Sequence, residues 1–294
     1  MKVVFRADDV GYSDISNIGA FKSIDEGVVS LVELMPDTPG AVNAMEFLRD
    51  RPWVSVNWHS HFWGSPVLPA EQVPSLVDTD GRFKHNWKSP HWPVTDGWDL
   101  DELVQECRAE IDRWIRIMGK APDATQISNP EQNIIDKAKK IVCDEYGIVY
   151  GYDRYWHIGP AIRGHEPGPN DSPSFNRKYE DRKIYEYENF GLPGMRLSDY
   201  RAYDPLKMIK TMPESDCIWV RSQHPNYVCD LVWEDTWNNC SITRCKDVEV
   251  LCSQELQDWI VEQHVEVINL RDAIYGTNEY QNHLKAIGSP IAMR

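Results

Sequence analysis

Three short polar stretches of this chain carry residue types that can bind a cation or move protons. The first is residues 7–11, ADDVG, in which Asp8 and Asp9 directly follow a short apolar run. Two adjacent carboxylates repel each other unless a cation or a proton lies between them, so one could bind a metal while the other acts as a base. The pair also allows a simpler interpretation, in which one Asp caps the helix that follows.

The second stretch is residues 57–64, NWHSHFWG, which contains two histidines separated by one residue. Residues i and i+2 of an extended chain point to the same side, so His59 and His61 could share one ion. His61 could equally leave the ion to other residues and instead hold a ligand in place or face a substrate.

The third stretch is residues 222–227, SQHPNY, where His224 follows a predicted strand. Its side chain has an unperturbed pKa near neutrality, which makes it a candidate general acid. Arg154 follows another predicted strand and could orient a carboxylate or the substrate.

The elements that must position these residues alternate along the chain. Strands are predicted near residues 3–5, 28–34, 53–58, 124–128, 148–150, 217–220 and 265–270, and helices over 15–26, 39–50, 99–119 and 131–146. This alternation predicts parallel pairing with right-handed crossovers. We therefore expect one catalytic domain over residues 1–294, an irregular (β/α) barrel of about seven parallel strands, with reactive groups at the C-terminal strand ends. Residues 65–98 and 155–200 are predicted to be loop insertions, the second of them bordering the site.

Composition excludes several classes of partner. The 294 residues include 31 Lys and Arg against 46 Asp and Glu, a net charge of −15, and no basic stripe is present, so we expect no nucleic-acid partner. No apolar run is long enough to span a membrane and the first residues are unlike a signal peptide, so we expect a cytoplasmic protein. The seven scattered cysteines are expected to be reduced thiols. The oligomeric state is left open, with a homodimer among the options.

Tryptophan is abundant, with 12 residues, several of them in segments rich in Pro and Gly. Such rings could form the walls of a sugar site, or they could pack the loops. The candidates for substrate contact are Trp58, Trp63 and Trp156.

Taken together, these stretches make the chain resemble the YdjC-type carbohydrate deacetylases, which are distantly related to the polysaccharide deacetylases. The resemblance is carried by residues 7–11, which look like the ADDFG motif of that family, and by residues 58–59, 64–68, 74–83, Arg154, 224–225 and Arg244. It implies a barrel with one divalent metal, Zn or Mg, at the strand mouths, and an acetylated small sugar as substrate. It further implies that Asp9 and His59 are metal ligands, Asp8 the catalytic base and His224 the acid.

One segment departs from the family pattern. Where the family has its other metal-binding histidine, residues 124–131 read ATQISNPE and contain no histidine. Three alternatives follow: His61 joins His59, an oxygen of Asn129 or Glu131 substitutes, or the metal is weakly held or absent. We favour His61, because Asp9 with two histidines is a donor set found in hydrolytic zinc sites.

This departure leaves three functional hypotheses. The leading one is metal-assisted removal of an acetyl group from a small sugar. A second keeps the metal but changes the reaction, acting on a glycoside or a small aromatic metabolite. A third is a sugar-binding relic without catalysis.

Overall fold

The centre of the molecule is one sheet to which ten strands contribute. The computed structural model describes residues 1–84, 93–127, 129–151, 201–212, 218–227 and 243–293, and the backbone of the strands at 155–158, 161–164 and 184–188. The strands are β1 (Lys2–Val10), β2 (Leu31–Leu34), β3 (Ser55–Trp58), β4 (Ala124–Thr125), β5 (Val149–Tyr150), β6 (Tyr155–Ile158), β7 (Ala161–Gly164), β8 (Ile184–Glu188), β9 (Ile218–Gln223) and β10 (Glu266–Val267).

The sheet is almost entirely parallel. Its order is β5-β4-β3-β2-β1-β9-β8-β6-β7, with β10 paired to the start of β1, and among the described pairs the β6–β7 pair alone is antiparallel. The sheet curls into a half-barrel, which confirms the predicted irregular (β/α) barrel. Since β1 lies in the middle, its carboxyl end is flanked by the ends of β2 and β9.

Helices connect the strands and cover the sheet. They are α1 (Asp14–Asp25), α2 (Ala41–Arg49), α3 (Leu100–Met118), α4 (Ile134–Tyr146), α5 (Pro205–Lys210), α6 (Thr243–Leu251), α7 (Gln254–Glu262), α8 (Leu270–Tyr275) and α9 (Glu279–Ala286), with a 3₁₀ turn at Ala70–Gln72. The predicted limits of α3 are confirmed: Asp99 caps it by accepting from the backbone N–H groups of residues 101 and 102, and Gly119 ends it with φ of 76°.

The segment 155–200 differs from its predicted role as an insertion. It supplies β6, β7 and β8, and β8 pairs directly with the core strand β9. The polar, aromatic composition of the segment concealed these strands because they do not show the apolar run typical of a buried parallel strand. The sheet is therefore wider than the seven strands expected. In the segment 65–98 the described part contains the 3₁₀ turn and a single bridge between Val77 and Phe83.

Three apolar clusters of the described residues hold the layers together. One packs β1, β2 and β3 against α1, α2 and the C-terminal helices, and another packs α3 and α4 against residues 58–83 and Trp98. The third joins residues of β1, β2, β4, β5 and β9 to α8. Among the described residues, no helix has the length and apolar character needed to cross a membrane.

Candidate active site and metal centre

An irregularity at the end of β1 places two consecutive carboxylates on one side of the strand. Neighbouring residues of a regular strand point to opposite faces. Here the register of β1 against β2 shifts between Ala7 and Val10, and Asp9 has a left-handed φ of 53°. Bulges of this kind re-aim side chains beside functional sites. As a result Oδ1 of Asp8 and Oδ1 of Asp9 lie 3.3 Å and 3.1 Å from Nε2 of His59.

The Asp8 carboxylate is buried and held by fixed donors. Its Oδ2 accepts from Nη2 of Arg6 at 2.9 Å and from the hydroxyl of Ser222, at the end of β9, at 3.1 Å. Burial by itself raises the pKa of Asp8, but Arg6, followed by His59 and His224, outweighs burial and lowers the pKa to about 2. Asp8 is therefore ionised at neutral pH.

His59 and His61 converge with Asp9 on one point. The Nε2 atoms of the two histidines lie 2.8 Å apart, and Oδ1 of Asp9 lies 3.1 Å from the first and 3.5 Å from the second. Ligands about 2.1 Å from a common ion lie about 3.0–3.4 Å from one another, for octahedral and tetrahedral angles respectively. The three separations, 2.8, 3.1 and 3.5 Å, lie inside that range or within 0.2 Å of it, so the residues fit a divalent ion.

The two histidines differ in protonation. Burial lowers the pKa of His59, but the nearby Asp8 and Asp9 carboxylates outweigh it and raise the pKa above its usual value. Burial and the neighbouring His59 lower the pKa of His61 to about 4. The pair therefore carries at most one positive charge at neutral pH, and His61 presents a neutral imidazole, the form that binds metals.

A second group of possible ligands, Asp8, Asp9 and His224, lies beside the first. Its Oδ2 atoms are already engaged, that of Asp8 by Arg6 and that of Asp9 by Arg244 at 2.6 Å. Since guanidinium groups occupy these oxygens, the group with His59 and His61 is the better candidate for a cation.

His224 approaches both carboxylates from the end of β9. Its Nε2 lies 3.5 Å from Oδ2 of Asp9 and 3.8 Å from Oδ2 of Asp8. Asp247 of α6 fixes the backbone by accepting from the His224 N–H at 2.9 Å. Burial, with Arg244 next to it, lowers the pKa of His224 to about 4. The imidazole is therefore neutral and able to accept a proton from its surroundings.

Sequence reasoning missed the roles of three buried charged residues. Arg244, at the start of α6, bridges Asp9 and the side-chain oxygen of Asn226. Arg6 and Glu33 lie beneath the site and are fully enclosed by protein. Glu33 is a lone charge within an apolar strand, and that pattern was the signal that could have found it.

Buried carboxylates also anchor the loop that follows the histidines. Asp37 accepts from the N–H of Gly64 at 2.6 Å, and Glu106 of α3 accepts from the N–H groups of Val67 and Leu68 at 2.6 Å and 3.0 Å. A side chain at residue 64 would collide with the Asp37 carbonyl oxygen. These contacts fix where the chain leaves the site.

Trp58 lies in the core, which corrects its prediction as a substrate contact. Its side chain is 0% exposed, its indole N–H donates to Glu110 at 2.8 Å, and the ammonium of Lys139 lies 5.5 Å from the ring. Strand alternation explains the difference, because Trp58 and the adjacent His59 point to opposite faces of β3 and its continuation. The ring supports the histidine loop from behind.

Trp63 is also largely enclosed. Its ring packs against Tyr12 with a centroid separation of 4.4 Å, and the guanidinium of Arg82 lies 5.8 Å from it. With 6% of its surface exposed, Trp63 packs the loop and offers a ligand only a small edge.

The two predicted oxygen ligands, Asn129 and Glu131, are exposed, and the N–H of Asn129 donates to Asp136 in the first turn of α4. Within the described residues, Glu131 belongs to neither of the two groups whose donor atoms lie close together. Arg154 and the side chain of Trp156 lie outside the described residues, so their predicted contacts stay predictions.

The fold and the site together define a parallel half-barrel protein with a polar, cation-competent site at the carboxyl ends of its central strands. The family model described as "YdjC-like protein" matches residues 2–262, and the chain belongs to that family.

Relatives and a solved structure extend this assignment. A protein named carbohydrate deacetylase from Listeria monocytogenes serotype 4b is 26% identical over 276 residues, covering 92% of this chain and 100% of its own length. Another of that name from Enterococcus faecalis is 26% identical, covering 91% of this chain and 96% of its own length. A crystal structure from Enterococcus faecalis, provisionally described as a cellobiose-phosphate cleavage protein, has a TM-score of 0.62 at 20% identity. It covers 92% of this chain and 98% of its own, so the fold is similar over most of the chain.

Proposed function

We propose that this protein is a divalent-metal-dependent deacetylase that hydrolyses an acetyl amide, or an acetyl ester, on a small sugar. One observation carries the proposal. Three donor atoms of Asp9, His59 and His61 lie within 3.5 Å of one another, and Asp8 and His224 lie beside them. The names of the family relatives support the substrate class.

Asp9, His59 and His61 would hold the ion. Two imidazoles and one carboxylate are typical of zinc more than of magnesium, which prefers oxygen ligands. Such an ion supplies Lewis-acid polarisation of the acetyl carbonyl and lowers the pKa of water.

The chain's own residues handle the protons. Asp8, ionised and oriented by Arg6 and Ser222, takes a proton from the attacking water, whose oxygen forms a bond to the acetyl carbon. His224 gives a proton to the leaving nitrogen as the carbon–nitrogen bond breaks. The products are acetate and the free amine. Because His224 rests in the neutral form, it must gain a proton during the cycle, and the proton that Asp8 takes from the water supplies it.

The experiment measures zinc content and acetate release in the same preparations. We expect the unaltered protein to bind one zinc ion and to release acetate from N-acetylated small sugars, with O-acetylated sugars distinguishing amide from ester specificity. Zinc binding without acetate release from either would favour the alternative chemistry on a glycoside or aromatic metabolite. Failure to bind zinc or another divalent ion would favour the relic.

The third ligand is tested by a matched pair of variants. His61→Ala is expected to lose zinc, and Glu131→Ala, with Asn129→Ala, is expected to retain it. Zinc retained by His61→Ala and lost by either control would assign the ligand to residues 129–131.

A further inference from the structure

The buried carboxylate of Glu33 lies beneath His59 and has no part in the proposed reaction. Glu33 is on β2, between apolar neighbours, and its side chain is 0% exposed. Burying an ionisable group costs free energy unless other groups compensate for it. The groups around Glu33 therefore indicate what it does.

Strand register fixes the carboxylate from one side. Glu33 pairs with Asn57 across β2 and β3, and the Asn57 amide donates to Oε1 at 2.8 Å. Nη1 of Arg6 lies 3.9 Å from the same oxygen. The guanidinium of Arg6 thus lies between Glu33 and Asp8 and is shared by both carboxylates.

The other oxygen faces the histidine. Oε2 of Glu33 lies 3.7 Å from Nδ1 of His59, while Nε2 of the same ring faces Asp9 and His61. The ring therefore lies between the buried carboxylate and the proposed cation site, with one nitrogen toward each. A carboxyl oxygen facing Nδ1 favours the ring with its proton on Nδ1, and that form leaves the Nε2 lone pair for a metal.

We propose that Glu33 is a positioning residue for His59: held by Asn57, it keeps the Nδ1 proton and directs Nε2 to the cation. This inference rests on the proposed metal centre. Carboxylates that orient metal-bound histidines in this way raise metal affinity about 10- to 100-fold.

The test compares Glu33→Gln with a matched control, Glu106→Gln, which makes the same change at another buried glutamate. Glu106 contacts the loop at residues 67–68 and, among the described side chains, no histidine. Zinc affinity is measured by competition with a chromogenic chelator. We expect Glu33→Gln to weaken zinc binding about 10- to 100-fold and Glu106→Gln to leave it unchanged. Equal affinity in Glu33→Gln and the unaltered protein would overturn the proposal.

A second readout reports the contact itself. In the zinc-loaded protein the ¹H–¹⁵N signal of the His59 Nδ1–H is expected downfield and slow to exchange, and to move upfield in Glu33→Gln. Should Glu33→Gln fail to fold, Asn57→Ala frees the carboxylate from its anchor and is expected to shift the same signal and to weaken zinc binding. An unmoved signal with unchanged affinity in that variant would also overturn the proposal.

The outcomes for the two hypotheses are distinct. If the unaltered protein does not bind zinc or another divalent ion, the metal centre fails and the proposal about Glu33 fails with it. If the unaltered protein binds zinc and Glu33→Gln binds equally well, only the role of Glu33 fails.

Discussion

Arg244 donates from Nη2 to Oδ2 of Asp9 across 2.6 Å, while Oδ1 of the same carboxylate lies 3.1 Å from His59. One oxygen thus faces a permanent cation and the other faces the histidine pair. Burial raises the pKa of Asp9, but Arg244, followed by His224, holds it well below its usual range. Asp9 is consequently ionised before any metal arrives.

Removing the Arg244 guanidinium should change the pKa of His224. Arg244 is the largest contribution after burial to the low pKa of this histidine, about 4, so Arg244→Met should raise it. A nearby like charge typically accounts for about one pH unit or more, and an NMR titration of the metal-free protein measures the change. Arg244→Lys retains the charge and should keep the low pKa. The assigned electrostatics would be wrong if Arg244→Met titrated as the unaltered protein does, with thermal unfolding confirming that the variant is folded.

The roles of the two aspartates should separate in variants. Asp8→Asn removes the proton acceptor and should lower kcat by about 10²- to 10⁴-fold while zinc content stays the same. Asp9→Ala removes a ligand and should lower both zinc content and kcat. Acetate release and metal analysis on the same samples make the comparison, and full activity in Asp8→Asn would exclude it as the base.

Glu106 should make stability depend on pH. Burial raises its pKa from 4.5 to about 7, although the N–H groups of Val67 and Leu68 oppose the change. Because the folded state then binds its proton more tightly than the unfolded state, this group's contribution to the free energy of unfolding falls as pH rises from 4.5 to about 7. The total change is on the order of 3 kcal/mol.

Denaturant unfolding of the unaltered protein and of Glu106→Gln, across that pH interval, measures the contribution. Two other groups, His61 and His224, have pKa values lowered to about 4 and give the opposite slope, but they are present in both proteins and cancel in the difference. The difference in stability, unaltered minus variant, should decrease as pH rises. A flat difference would show that Glu106 titrates as it does in the unfolded chain.

The Trp58 side chain should contribute to stability and have no part in substrate binding. Trp58→Phe keeps the apolar bulk but leaves the buried Glu110 without its indole donor, at a cost of about 1–3 kcal/mol. We expect a lower midpoint of denaturant unfolding with KM unchanged. A large rise in KM at unchanged stability would restore Trp58 as a substrate contact.

Much of the site's location could be predicted from the sequence, because polar residues lie at the end of β1 and directly after β3. Parallel strands bring such residues to one edge, and the convergence of Asp9 with His59 follows from that rule. His59 and His61 converge on one point because alternate residues of an extended chain point to the same side, so their spacing predicts this contact.

Other features depended on tertiary structure. Strand β8 lies in a segment of mixed polar and aromatic character, so its pairing with β9 could not be predicted from the pattern of apolar residues. The left-handed φ of Asp9, which turns two consecutive carboxylates to the same side, has no signature in the sequence of that strand. Trp58 is predicted as a substrate contact because composition alone cannot distinguish an aromatic wall from a packed ring.

All three donor atoms proposed for the cation come from residues 9–61, whereas His224 and Arg244 belong to the other end of the chain. The first three strands therefore carry a complete ligand set, with short loops to close and a small entropic cost of assembly. The base Asp8 belongs to the same stretch, and the proposed acid His224 joins only when β9 docks. The ion-binding residues and the acid are thus encoded in separate stretches of polypeptide, so a chain could keep the first while exchanging the second for a different reaction.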